Sequence, residues 1–171
     1  MTDPLRQLSE DHGHMRRLTE AFSVQPDDAS RRELATRIGE ALRVHTACAG
    51  EVFYPTVARS AGADVRGLVE RSAREHAVQA ALLTRALSSL SDPADTVDRR
   101  PSAGESADRT RAAEEAVASL RDHLGRHAHT EEARLFPAVR GDLGDALERI
   151  GERLARRRAA TAAPLTVARP G

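Results

Sequence analysis

Val117, Leu120, Leu124, His127 and Glu131 recur at the three- and four-residue spacing of one helix face, and the last two members are an imidazole and a carboxylate. Four helical positions amount to about 400° of rotation and roughly 6 Å of rise. Glu131 therefore lies one turn beyond His127 on the inward stripe, while His129 and Glu132 turn away. A carboxylate buried in an apolar layer is costly unless something pairs with it, and the partner best suited to His and Glu together is a metal ion. Alone, the pair is equally compatible with a satisfied core histidine beside a wet helix end, because His-x3-Glu is common on solvated helices.

The same intrusion recurs along the chain. Thr2 or Asp3 can cap a first helix with Pro4 at its first position, and the stripe Leu5, Leu8, His12, Met15, Phe22 follows, with His14 facing solvent. After Gln25-Pro26, Asp28 or Ser30 can cap a second helix with stripe Leu34, Ile38, Ala41, His45, Ala49, Val52 and Thr56. Asp64 can cap a third, with stripe Leu68, Ser72, His76, Leu83, Leu87 and Leu90. The stretch from 91 to about 109 is polar and aperiodic, with two prolines and a glycine, and reads as a surface loop long enough to shield an opening. The fourth helix is expected from about Asp108 through Glu131, bent or stopped by Pro137. A short last helix is expected from 142 to about 158, ahead of a loose tail.

Four amphipathic helices joined by turns predict an all-α, antiparallel up-down four-helix bundle with a short C-terminal helix, occupying residues 1–158, with 159–171 as a flexible tail. Aromatic content of 2% and the absence of Trp suit a core of Leu, Val, Ile and Ala packed between helices. In such a bundle the middles of the four stripes meet, bringing His12, His45, His76 and His127 to one layer with Glu131. A lone inward histidine is usually structural, but four on four helices, with a carboxylate, form a metal site of the kind bundles build.

Other compositions exclude other functions. Charge is balanced at 26 basic against 26 acidic residues, so no global field recruits nucleic acid or an anionic membrane. All the basic residues are Arg, a bias that resembles GC-rich coding and hints at a bacterial source. One cysteine excludes an internal disulfide, no apolar run approaches the roughly 20 residues that span a bilayer, and no signal-peptide pattern opens the chain, so a cytoplasmic protein is the default. Neither a nucleophile elbow nor a glycine-rich phosphate loop occurs, and the Glu-x-x-His pairs of ferritin-like bundles are missing.

Residues 5 to about 155 resemble the hemerythrin family, in its bacterial form the HHE cation-binding domain. The motifs that carry the resemblance are Asp11-His12, Glu75-His76, and two half-motifs with the same ten-residue spacing from His to Pro: His45 with Phe53-Tyr54-Pro55, and His127 with Glu131 and Leu135-Phe136-Pro137. The resemblance implies metal ligation by His12, His45, His76, His127 and Glu131. It implies a non-haem metal, iron first, as one or two ions, with Co, Mn and Zn compatible.

Two family positions differ. Ala49 stands where the first half-motif carries a bridging Glu, and Ala80 stands where hemerythrins proper place a second third-helix His. Glu51 cannot substitute, being about 240° round the helix from His45. Cys48 faces roughly the same way as His45, and His123 lies one turn before His127, so both are candidates for an additional ligand or for a supporting role; a small buried residue is the plainer reading of Cys48. Tyr54 falls about 180° from His45 and is expected to pack elsewhere.

The inward set then divides into two half-sites sharing Glu131, His12 with His45 and His76 with His127. Each has the two-His, one-carboxylate composition that leaves positions open on a metal. The resemblance implies a protein that binds or activates a small oxidant such as O2, NO or peroxide. The lost carboxylate favours a mononuclear metal-dependent enzyme acting on a small molecule, for example in secondary metabolism, in the space opened by Ala49 and Ala80. Partners are expected to be O2 or another small ligand, or a small-molecule substrate, and the chain a monomer or small homo-oligomer. No catalytic residue is assigned by sequence.

Overall fold

The first helix begins as predicted. The Asp3 side chain accepts the amides of Leu5 and Arg6, and Pro4 occupies a position whose N–H needs no partner, so α1 runs Pro4–Phe22. The computed structural model describes residues 3–91, 102–144 and 146–162. Within them follow α2 (Asp28–Cys48), α3 (Tyr54–Ser60), α4 (Ala63–Leu90), α5 (Ala103–Thr130), α6 (Phe136–Leu143) and α7 (Ala146–Ala162), with no strand among the described residues.

Several boundaries differ from expectation for local reasons. Asp27, not Asp28 or Ser30, caps α2 by accepting the Ser30 amide at 2.8 Å. Gly62 precedes α4, and Asp64 lies in its first turn, where a carboxylate favours the positive end of the helix dipole. α5 begins at Ala103 instead of near Asp108, because Ser102 and Glu105 form a reciprocal capping box. Its first two turns carry no apolar stripe, which hid them from periodicity. Most of the expected surface loop, residues 92–101, lies outside the described residues. α7 continues to Ala162, past the point where a tail was expected, and buries Thr161; residues 163–171 lie outside the described set.

The four long helices form an up-down bundle. α1 packs on α2 and α5, α4 packs on the same two, and α7 lies across α1 and α2. The core has two parts. At one end Met15, Leu18, Phe22, Ile38, Leu83 and Leu120 pack together; at the other Leu5, Leu8, Phe53, Phe136, Ile150 and Leu154 do so. Along each long helix the histidine falls between the two, as His12 does between Leu8 and Met15.

Neither proline ends its helix. The Tyr54 amide donates to the Ala49 carbonyl and the Phe136 amide to that of Glu131, five residues back in both cases, so one π-helical turn precedes each proline: Ala49–Phe53 and Glu131–Leu135. A proline in a straight α-helix meets the carbonyl four residues back and cannot bond to it. The widened turn accommodates both problems, and the chain resumes as α3 and α6.

Leu120 is fully buried in the end of the core remote from α7. Leu120→Ala is expected to cost about 2–5 kcal/mol in urea unfolding, while metal content per folded chain stays at the wild-type level, because the histidines belong to a separate layer.

Candidate metal centre

His12 on α1, His45 on α2, and His127 with Glu131 around the end of α5 place one ligand atom each within 4.8 Å of one another, and all four side chains are buried. Glu131 Oε2 lies 3.4 Å from His12 Nε2 and 3.7 Å from His127 Nε2. The rings pack edge to face or tilted, with His12 and His45 centroids 4.9 Å apart and those of His45 and His127 5.8 Å apart.

An acidic side chain stands behind each of these rings, supplied by a different helix. Glu132 Oε1 is 2.9 Å from His12 Nδ1, Asp11 Oδ2 is 3.5 Å from His45 Nδ1, and Glu75 Oε2 is 3.0 Å from His127 Nδ1. Asp11 is in turn gripped by both terminal nitrogens of Arg158 on α7, at 2.9 and 2.7 Å. A ring that donates its Nδ1–H outward presents the Nε2 lone pair inward, which is how protein imidazoles are oriented for metals. The acids adjacent in sequence to His12 and His76 thus serve the histidines of neighbouring helices.

The fit to a cation follows from what lacks a partner. His12 Nε2, His45 Nε2 and Glu131 Oε2 are buried without a hydrogen bond, as is His45 Nδ1, whose 3.5 Å approach to Asp11 is an ion-pair contact only. Neutral imidazole lone pairs and a carboxylate oxygen facing one another repel unless a positive charge, a proton on His12 or a metal ion, sits among them. These donors suit a divalent transition-metal ion.

His76 is beside this group but not in it. Its Nε2 is 3.2 Å from His127 Nε2 and 3.4 Å from the Tyr54 hydroxyl, and no acidic side chain backs its ring among the described residues. The half-sites expected from sequence therefore cross: His12, His45 and His127 gather round Glu131, with His76 as a fourth imidazole against His127. Cys48 is buried in the α7 end of the core, its thiol 3.8 Å from the Leu154 carbonyl and pushed towards the neutral form by burial. His123 is half-buried and lies outside the cluster, while His14 and His129 are exposed, as helical phasing predicts.

Tyr54 corrects the sequence reading. Its hydroxyl donates to Glu131 Oε1 at 2.5 Å, and its ring stacks on His76 at a centroid distance of 5.6 Å. A straight helix puts it half a turn from His45, but the π turn absorbs one residue, leaving an offset of about 80°. The same shift acts after Leu135 in the second half-motif, where Phe136 stacks near His12, while the exposed Glu132 reaches that ring's outer nitrogen. The signal was present in sequence as the repeated spacing from His to Pro.

The hemerythrin HHE cation-binding domain, as a family description, matches residues 3–139. The chain belongs to that family. No curated protein and no solved structure matches it. The match spans all four histidines, Glu131 and both prolines, so this hemerythrin domain has a His/Glu cluster suited to a metal; α7 lies beyond the matched residues. Among the described residues no helix is long and apolar enough to cross a membrane.

The electrostatics of the layer give a pH dependence to the metal-free protein. Burial, then repulsion from His45 and His127, pulls His76 down to about 3, and burial lowers His45 as well. Burial would raise Glu131, but His12 and then His127 outweigh it and hold the carboxyl at about 2. Burial opposes a charge on His12 too, yet Glu131 and Glu132 leave its pKa raised. The lowered imidazoles cost stability as pH falls below about 6.5, since the unfolded chain takes up protons that the folded site refuses. Glu131 adds to this below its unfolded value of 4.5. His12 works the other way, its contribution being complete below 6.5 and lost as pH rises through its folded value. Metal-free protein is expected to melt at progressively lower temperature between pH 7 and pH 4 in differential scanning calorimetry. His76→Leu should flatten that decline; an equally steep decline in the variant would mean that His76 titrates normally.

Proposed function

We propose that this hemerythrin-family chain is a non-haem metal protein, iron being the first choice, that binds or activates a small oxidant such as O2, NO or peroxide. The observation that carries the reading is the convergence of unpartnered, buried His12 Nε2, His45 Nε2 and Glu131 Oε2, with His127 beside them. When bound, such an ion supplies a Lewis-acidic, redox-active centre. The protein does the rest: Glu132, Asp11 and Glu75 orient the rings, and Tyr54 holds Glu131 Oε1 and keeps a proton there. Burial, followed by the Glu131 charge, raises the Tyr54 pKa, so the phenol stays protonated. Phe53 and Phe136 exclude water from the end nearest α7, with Phe136 stacked near His12 at 6.3 Å.

His127→Ala and Glu131→Ala are expected to strip most of the metal measured by elemental analysis of protein purified without added metal, whereas His14→Ala and His129→Ala retain it. Equal losses in all four would sink the assignment. The visible and electron paramagnetic resonance spectra of Fe(II)-loaded protein should change on adding NO; unchanged spectra would refute access by a small oxidant.

A specific pair of features favours a second reading, a mononuclear enzyme acting on a small molecule. The two oxygens of Glu131 differ, Oε1 accepting from Tyr54 and Oε2 facing the histidines, and the residue matching Glu131 in the first half-motif is Ala49, so Glu131 would be the one inward carboxylate among the described residues available to two ions. Two divalent ions roughly 4 Å apart repel strongly without bridging carboxylates. One tightly held ion per chain is therefore expected, and Ala49→Glu should raise the stoichiometry towards two. Two tightly held ions in the native protein would remove this reading.

A further inference from the structure

α2, α4 and α7 line a cleft of about 680 Å3, open to solvent along one side, whose lining includes His76, the imidazole that touches His127 on its other side. The volume is that of a small-molecule site. Leu42, Ala47 and Leu83 line it with apolar surface, and Ala80 stands at its rim. Two of the lining side chains are cationic. Arg157 is paired at 2.5 Å with Glu51, which also lines the pocket and cancels one charge, while Arg43, exposed at the mouth, has no acidic partner among the described residues. The lining thus carries one uncompensated positive charge beside an apolar wall.

Two buried polar atoms also await a partner there. Helix threonines elsewhere, such as Thr84 and Thr130, donate to the carbonyl four residues back. Thr161, only 7% exposed, does not, and its Oγ1 has no hydrogen-bond partner; neither has the buried Nε of Arg157. An acceptor that is also an anion satisfies both and neutralises Arg43, since charge-assisted hydrogen bonds are the stronger kind.

We propose that this cavity binds a small organic carboxylate, its carboxylate held by Arg43, Arg157 and Thr161 and its apolar body laid along Leu42 and Leu83 towards His76. The inference deepens the enzyme reading by naming a substrate class, but the binding itself rests on residues outside the metal cluster.

The test titrates 3-phenylpropionate into the full-length, metal-loaded protein, with 3-phenylpropanol and 3-phenylpropylamine as neutral and cationic matches, followed by calorimetry and by the His76 ring signals in NMR. The carboxylate should bind roughly tenfold more tightly than either match and shift His76. Arg43→Gln should remove most of that preference, and Ala80→Trp should block binding by all three while helix content is unchanged. Equal affinity for the alcohol, a preference that survives Arg43→Gln, or unaltered binding to Ala80→Trp would overturn the proposal. The same titration on metal-free protein separates the two readings. Binding retained there, even if no metal is ever found in the native chain, supports the pocket on its own; binding lost with the metal would mean that the probe ligates the ion, and would refute the pocket.

Discussion

The structure depends on one electrostatic constraint: a layer of inward imidazoles and one carboxylate crosses an otherwise apolar bundle, and several of its ligand atoms have no partner. Each such atom costs on the order of 1–3 kcal/mol when left unmet. The apolar clusters on either side fix the helices in place, so the layer cannot relax by turning its side chains to water. With the imidazoles neutral, the facing nitrogen and carboxylate atoms are acceptors, a set that a cation would satisfy. Glu132 and Glu75, bonded to the outer nitrogens of His12 and His127, then explain why those rings present Nε2 inward, and Asp11 places a negative charge behind His45.

The two π turns are the backbone counterpart of that layer. Each sits between an inward histidine and a proline, and each shifts the phase of everything after it. In one half the shift delivers Tyr54 to Glu131; in the other it delivers Phe136 to the face of the His12 ring. The halves are alike in backbone and unlike in chemistry, since Glu131 in one corresponds to Ala49 in the other. The bundle is therefore nearly symmetric while its donor set is not.

α7 ties this asymmetry to the surface. It lies beyond the matched family residues, yet Arg158 holds Asp11 behind His45, and Arg157 and Thr161 line the cavity that reaches His76. Asp11 is held below the usual carboxylate range: burial acts against this, but His45 and Arg158 outweigh it, so the side chain stays an anion. One helix thus serves both the support of His45 and the wall of a pocket.

Much of this was legible in the amino-acid order alone. Periodicity gave the four helices, and a histidine in the middle of each stripe announced the polar layer and the inward facing of His12, His45, His76, His127 and Glu131. Side-chain facing on a straight helix follows from spacing, which is why the exposed His14 and His129 were also separable. Spacing could not reveal where a helix stops being straight, and Tyr54 was therefore misplaced; Glu132 faces outward as expected, but nothing in the spacing showed that it reaches the outer nitrogen of His12. Nor could it say which of four inward imidazoles share one point: that is set by how far each helix is shifted along its axis against its neighbours, a quantity decided by packing. The pairing of Asp11 with His45 and of Glu75 with His127, and the cavity under α7, arise only between helices, where no local pattern records them.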